Sequence, residues 1–506
     1  MSHDPTHTGE ARYLWREINR AEPPKRAAAD RITDFHEIYS LFDEATIREQ
    51  ASRCIQCASP ACVDSCPLHN RIPEWLSLAA EGKFLEAAEI SRTTSNMPEI
   101  CPRVCPQERL CEGACAVHDQ AGSICIGAIE KFINEYALAR GAVPVIKPTP
   151  NGKRVAVVGA GPGGLACADE LWKLGYAVTV FESQLLPGGL LLFGIPAFKL
   201  EKAVVERRVD ILKRQGVEFK TGITVGRDIR LESLLADFQA VFLGIGALKP
   251  KALDVPGADL KGVFQGLPFL AQKNAPISLG LSDVEVKGKR VVVLGGGDSA
   301  MDCLRTAIRC GATDTVCAYR RDLANMPGSR KEYANALEEG ARFMFLTNPL
   351  ALEGNAEGEV TAVRCVRMEL GEPDASGRRK PRPVKGSEIT MPADLILIAY
   401  GFDPVRFPPE SDMSRIAVNE WGGTITDSNQ MTSVRGVFAG GDVIRGPSLV
   451  VHAVLDGRKA AAGIHRYLSA YVTTEAPVSI TLEPRQSVAC ITKDARADVK
   501  TYANIQ

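Results

Sequence analysis

The chain has almost no net charge. Its 60 lysines and arginines nearly cancel 61 aspartates and glutamates, leaving a formal charge of −1 over 506 residues. No global field therefore steers it toward nucleic acid or an anionic membrane surface. It lacks any run of about 18 apolar residues, so no membrane span is expected. The opening MSHDPTHTGEARYLW has no basic-then-apolar pattern, so no secretory signal is expected and the sequence predicts a cytoplasmic protein. Histidine is scarce. The seven present are scattered without metal-ligand spacing and read as surface or core residues.

Glycine and cysteine are plentiful. Many of the 45 glycines cluster in short loops after apolar runs. The 15 cysteines are an odd number, which leaves at least one unpaired in any all-disulfide scheme. In a reducing compartment thiols are better metal-ligand candidates than disulfide candidates. Nine of the 15 lie between Cys54 and Cys125.

A chain this long predicts two to four domains. The first 150 residues hold the cysteine cluster and two stretches with near-3.6 apolar spacing, IPEWLSLAAEGKFLEAAEI (72–90) and IGAIEKFINEYALA (126–139), which predict helices. PVIKPTPNGK (144–153) is Pro-rich and polar, as a linker is. After it, RVAVVGAGPGGLACADELWKLGYAVTVFES (154–183) reads as strand, Gly-rich turn, helix and a second strand ending in acid, a βαβ unit. A second unit, KRVVVLGGGDSAMDCLRTAIRCGATDTVCAYRR (289–321), begins about 135 residues later. GVFAGGDV (436–443) reads as a late strand, followed by a helical pattern at 449–468. From about 472 a loosely held tail is expected.

In the first unit Gly159, Gly161 and Gly164 form GxGxxG directly after a strand. The first glycine permits the tight turn, the second lets backbone approach a pyrophosphate, and the third lets helix and strand pack closely. The pyrophosphate then faces a helix N-terminus opened by Pro162. Glu182 follows Gly161 by 21 residues, where a carboxylate accepts from both hydroxyls of an adenosine ribose. LPGGLLLFGIPAFKLEK (186–202), with Gly189, Leu190 and Lys199, suits the lining of a flat ring system. Gly441 and Asp442, in the late GGD, add a second backbone turn and a carboxylate. This early-plus-late arrangement resembles FAD sites of flavoprotein disulfide-reductase-like enzymes. Gly246 and Gly401 join these residues as cofactor-binding candidates.

In the second unit Gly295, Gly297 and Ala300 form GxGxxA, with Asp298 and Ser299 opening the helix. The second strand ends in Tyr319-Arg320-Arg321 rather than an acid. Two guanidiniums there suit a 2′-phosphate, so NADP(H) is expected over NAD(H). The simplest architecture is α/β. A helical domain (1–150) precedes an FAD domain in two parts (151–286 and 395–471), split by an inserted NADPH domain (287–394), with a tail at 472–506. A flavin beside a nicotinamide implies hydride transfer, for which the protein supplies alignment and no Ser–His–Asp or Cys–His constellation is needed.

The cysteines form two sets, Cys54-x2-Cys57-x4-Cys62-x3-Cys66 and Cys101-x3-Cys105-x5-Cys111-x3-Cys115. Eight thiols suit two four-ligand sites, and the Cys-Pro pairs at 66–67, 101–102 and 105–106 accompany iron–sulfur ligands. Zinc is the main alternative. Four-cysteine zinc sites usually present paired CxxC knuckles, and this region has one. One-electron carriers beside a flavin favour two 4Fe-4S clusters. Cys125, Cys167, Cys303, Cys310, Cys317, Cys365 and Cys490 match no ligand position and read as packing residues.

The cysteine spacing, GAGPGG, GGLLLFGIPAFKLEKAVVERR (188–208), GGGDSAMDC (295–303), YRRD (319–322), NMPGSRKE (325–332) and AGGDVIRGPSLVV (439–451) together resemble the small (beta) subunit of bacterial NADPH-dependent glutamate synthase, from about residue 25 to about 468. The same module occurs in dihydropyrimidine dehydrogenase and in the large subunit of bifurcating ferredoxin–NADP oxidoreductases. The resemblance implies that the two cysteine sets share ligands. Cys54, Cys57, Cys62 and Cys115 would hold one cluster. Cys66, Cys105 and Cys111 would hold the other, its fourth ligand open between Glu130 and Cys101. It also implies electron transfer from NADPH through FAD and the clusters to a large, FMN-carrying partner that makes glutamate from glutamine and 2-oxoglutarate. A paralogue serving ferredoxin, a pyrimidine-reducing subunit or sulfur compounds is the alternative. A colourless zinc-and-nucleotide scaffold is the non-enzymatic one.

Overall fold

A computed structural model describes residues 11–275, 283–373, 377 and 379–470; Cys490 and the expected tail lie outside them. The N-terminal part is helical, with α1 (Glu44–Ser52), α2 (Ile72–Ala80), α3 (Phe84–Thr94) and α4 (Ile126–Ala139). The Asp43 carboxylate caps α1 by accepting from the Thr46 N–H at 2.7 Å. The amphipathic stretch 72–90 is two helices, because Gly82 takes a φ of +81° and turns the chain between α2 and α3. Ile47, Trp75, Leu76, Phe84, Ile129 and Ile133 meet in the core of this part. Residues 144–150 carry no helix or strand, as a linker should.

Two parallel sheets follow. The first has the order β15-β4-β1-β2-β3, built from β1 (Arg154–Val158), β2 (Ala177–Glu182), β3 (Glu218–Thr221), β4 (Ala240–Leu243) and β15 (Val437–Ala439). The second has the order β6-β13-β7-β8-β9, from β6 (Val263–Gln265), β7 (Arg290–Leu294), β8 (Asp314–Tyr319), β9 (Arg342–Phe345) and β13 (Leu395–Ile398). The central strands are unbroken apolar runs because helices cover both faces of a parallel sheet. Helix α5 (Pro162–Lys173) follows β1, α6 (Asp298–Arg309) follows β7, α7 (Arg330–Glu338) precedes β9, and α8 (Val450–Ser469) returns to pack on α5. An antiparallel sheet of β10 (Thr347–Gly354), β11 (Val360–Pro373) and β12 (Arg379–Pro392) projects from the second sheet's unit, and β5 (Lys249–Pro250) pairs antiparallel with β14 (Phe402–Asp403).

The chain thus leaves the first sheet after β4 and rejoins it at β15. The boundaries expected at 287 and 394 need correction. Leu395–Ile398 pairs with β7, and Val263–Gln265 pairs with β13, so both belong to the second sheet. Single strands of three or four residues carry no local mark of the sheet they join.

One buried carboxylate ties the parts together. Glu339 accepts from Arg31 Nε at 2.8 Å, Arg305 Nη2 at 2.8 Å and Arg309 Nη1 at 2.6 Å. Arg31 comes from the N-terminal part, and Arg305 and Arg309 from α6. Phe198, from the first nucleotide unit, lies under both α6 guanidiniums, 4.3 Å and 4.0 Å from their centres. Lys199 pairs with Asp302 at 2.9 Å and Glu332 at 3.7 Å. Burial alone would raise the Glu339 pKa, but the hydrogen bonds from Arg305 and Arg309 outweigh it and hold it at about 2. No helix among the described residues is long and apolar enough to cross a membrane.

Removing that charge leaves buried Arg309 without a carboxylate, while Arg31 and Arg305 keep Glu338 and Glu332, so Glu339→Gln is expected to cost about 3–5 kcal/mol, read as a lower urea midpoint. The folded pKa lies below the ordinary 4.5, so the wild-type advantage is complete above that pH and fades as the pH falls toward 2. Unfolding midpoints measured across that window should converge for wild type and variant.

Candidate functional site

The first glycine turn sorts its three glycines by what surrounds them. Gly159 has a φ of +95°, and a Cβ there would lie 2.5 Å from the Gly244 carbonyl. A Cβ on Gly164 would collide with the Gly159 carbonyl oxygen, so this glycine lets α5 lie close against the turn. A Cβ on Gly161 would meet nothing within 4 Å. Gly161 therefore faces space, at the uncapped N-terminus of α5 where Pro162 occupies the first turn. Glu182 is buried at the end of β2, and burial raises its pKa. Its carboxylate accepts from the Ala160 N–H and the Gln184 N–H, both at 2.8 Å, so it also braces the turn.

Gly159, Gly161, Pro162, Glu182, Gly189, Leu190, Lys199, Gly246, Gly441 and Asp442 all line one cavity of about 1080 Å³. Burial pushes the Asp442 carboxyl up to about 7. For Lys199, burial alone would lower the pKa, and the carboxylates of Asp302 and Glu332 more than reverse it. The same cavity reaches Asp298 and Ser299 at the start of α6, and Cys105, Pro106 and Gln107 in the N-terminal part. Gly295, Gly297, Arg320, Arg321 and Gly401 are not among its lining residues. A Cβ on Gly297, like one on Gly161, would meet nothing within 4 Å. The arginine pair is split: Arg320 is exposed, whereas Arg321 is buried and donates Nε to the Arg379 carbonyl at 2.9 Å.

The thiols fall into two groups. Cys54 and Cys62 each interact electrostatically with Cys57 and Cys115. Cys66 interacts with Glu130 and Cys101, Cys105 with Cys101, Cys111 and Glu130, and Cys111 with Cys66 and Glu130. Burial, with like-charge neighbours adding to it, pushes Cys54 up to about 11 and Cys62 up to about 12. Burial also pushes Cys66 up to about 11 and Cys111 well above the usual thiol value. Cys105 rises first through its hydrogen bond with Cys101, then through burial. Glu130 is buried and accepts from Asn70 Nδ2 at 2.7 Å and Ser91 Oγ at 3.0 Å, and burial pushes it up to about 7. Every cysteine among the described residues is free. Such groups ionise together only around a positive centre, and thiolates are soft donors, which fits an iron–sulfur cluster. No three His, Cys, Asp or Glu side chains among the described residues crowd around a single ion point.

Several residues of the site carry no sequence signal. Tyr39, Glu37 and Lys131 line the cavity from the N-terminal part. Glu108, between Cys105 and Cys111, accepts from Ser329 Oγ at 2.8 Å, and the Ser329 N–H donates to Asp298 at 2.9 Å. This chain of bonds joins a thiol loop to the second glycine turn. Lys202 donates to the Leu191 carbonyl at 3.4 Å and to the Ile195 carbonyl, and burial pulls its amine down to about 7.

Residues 31–142 match the family described as dihydropyrimidine dehydrogenase domain II, 4Fe-4S cluster, and residues 153–457 match the pyridine nucleotide-disulphide oxidoreductase family. The chain is 47% identical over 470 residues to the glutamate synthase (NADPH) small chain of Escherichia coli K12, covering 90% of this chain and 98% of that one. It is also 47% identical over 461 residues to E. coli AegA, whose oxidoreductase assignment is itself provisional, covering 89% of this chain and 70% of AegA. FprA of Mycobacterium tuberculosis in complex with NADPH shares the fold, with a TM-score of 0.54 at 20% identity over 63% of this chain and 85% of that one.

The two glycines give contrasting expectations. Gly161→Ala should fold with an unchanged unfolding midpoint but purify without bound flavin, since its methyl would occupy ligand space. Gly164→Ala should fail to accumulate as folded protein. Absorbance spectra and thermal melts of the two variants separate these outcomes.

Proposed function

The chain belongs to the pyridine nucleotide-disulphide oxidoreductase family, alongside glutamate synthase small chains, and on that premise we propose that it is the electron-input subunit of such a synthase. The observation that carries this reading is the single cavity shared by both nucleotide-binding units and by Cys105. Bound FAD takes two electrons as hydride from NADPH and can release them singly. The residues provide the rest. The N-terminus of α5 and the open face of Gly161 receive the FAD pyrophosphate. Glu182 accepts from the adenosine ribose while bracing the turn. Gly297 and the start of α6 receive the NADPH pyrophosphate, and exposed Arg320 pairs with its 2′-phosphate.

Cys54, Cys57, Cys62 and Cys115 hold one 4Fe-4S cluster. Cys66, Cys105 and Cys111 hold a second, completed by Cys101 or Glu130. Both candidates stand beside this group: Glu130 is an electrostatic neighbour of Cys66, Cys105 and Cys111, and Cys101 of Cys66 and Cys105. Clusters held by these residues would pass electrons singly to a large, FMN-carrying subunit, where glutamine and 2-oxoglutarate would become glutamate. The match to AegA favours one alternative, the same module serving a different acceptor.

The purified chain should be yellow-brown, carry iron for two clusters per flavin, oxidise NADPH with artificial acceptors, and make no glutamate. Glutamate formed by the chain alone would sink the subunit reading. Glutamate formed only after the large subunit is added supports it over the alternative. Arg320→Ala should raise KM for NADPH about tenfold or more, the worth of a hydrogen bond to a charged group, and leave KM for NADH nearly unchanged. Arg321→Ala should instead lower the melting temperature and affect both nucleotides alike.

A further inference from the structure

The two thiol groups differ in position. Cys105 lines the nucleotide cavity, and Cys66, Cys101 and Cys105 pack against the core that contains β1. Cys54, Cys62 and Cys115, and of the second group Cys111, pack only against the helical core. The second group is therefore the inner one, toward the flavin, and the first is the outer one.

They also differ in the fixed charge beside them. Arg53, next to Cys54, has no exposed surface. Its guanidinium donates to four backbone carbonyls: Ile18 at 3.0 Å, Ser123 at 2.9 Å, Ala121 at 2.6 Å and Gly122 at 3.0 Å. Among the described residues it makes no ion pair. Its electrostatic neighbours include Cys115 and Cys125. A guanidinium is not deprotonated in proteins, so Arg53 is a permanent buried cation whose charge no carboxylate cancels. Among the described residues the inner group has no such cation. Arg208, which interacts with Cys101, is neutralised by Glu99 through two bonds of 2.6 Å.

We propose that Arg53 raises the reduction potential of the outer cluster above that of the inner one, and so sets electron flow outward from the flavin. This rests on the two-cluster reading above. An electron passing from the inner to the outer cluster oxidises the first and reduces the second, adding one negative charge at the outer site. A fixed positive charge in a low-dielectric interior stabilises that reduced state, because a cluster's potential follows the local charge and hydrogen bonding. The carbonyls of residues 18 and 121–123 satisfy the guanidinium's hydrogen bonds without cancelling its charge. That arrangement fits a charge kept for electrostatic work as well as a clamp.

The test is a dye-mediated redox titration of the flavin- and iron-loaded chain, followed by electron paramagnetic resonance. Arg53→Gln should lower one cluster's midpoint and leave the other in place, shifting the one-electron sharing between them at least tenfold, which is about 59 mV. Gln50→Glu is the second variant. Gln50 is buried, 3.8 Å from Cys125, so a carboxylate there would offset Arg53 without removing its clamp. It should move the same signal in the same direction. If Arg53→Gln loses iron, Gln50→Glu decides. Unmoved midpoints in the iron-replete variants overturn the proposal. A wild-type chain with iron for only one cluster would instead refute the two-cluster reading beneath it.

Discussion

The buried carboxylate of Glu339 is the constraint on which the rest of the arrangement depends. It satisfies guanidiniums from the N-terminal helical part and from α6 at once, with Phe198 beneath them. A shared cavity needs its walls held at fixed separation, and here those walls come from separate parts of the chain. Apolar packing is non-directional and lets parts slide. A carboxylate bonded to several arginines does not, because each shift would strand a buried charge. Lys199 extends the same lock to the cavity wall through Asp302 and Glu332.

Within that frame, polar groups that line the cavity also brace the fold. Glu182 braces the first glycine turn through Ala160 and Gln184 while presenting a carboxylate to the cavity. Asp298 holds Ser329, and Ser329 holds Glu108 in the loop between two thiols. The iron–sulfur side and the nucleotide side are thus joined by hydrogen bonds as well as by proximity. The thiol groups follow the same logic from the other direction. Burial, and then the neighbouring thiols, raise the pKa of Cys54 and of Cys62, so these two favour ionisation beside a cationic centre.

Much of this was legible in the chain. The two βαβ units, the glycine spacings, the terminal acid at Glu182 and the crowded cysteines are local patterns with local causes. Cys57 and Cys115 are electrostatic neighbours of both Cys54 and Cys62, which family resemblance had implied as one ligand set. Other features were not legible. The strands at 263–265 and 395–398 are too short to declare their sheet, and so the boundaries at 287 and 394 were displaced. Arg320 and Arg321 looked equivalent, yet one faces solvent and the other is bound under β12.

The sequence by itself determined the turns, the strand–helix order and the identity of the chemistry, because these depend on residues a few positions apart. Only the tertiary structure decided which thiols are nearer the nucleotide cavity, which arginine is exposed, and that Arg53 is a buried cation with no ion pair among the described residues. Those properties depend on burial and on distances between residues far apart in the chain. Charge acts through space, and one-dimensional spacing does not record which distant groups share a low-dielectric interior.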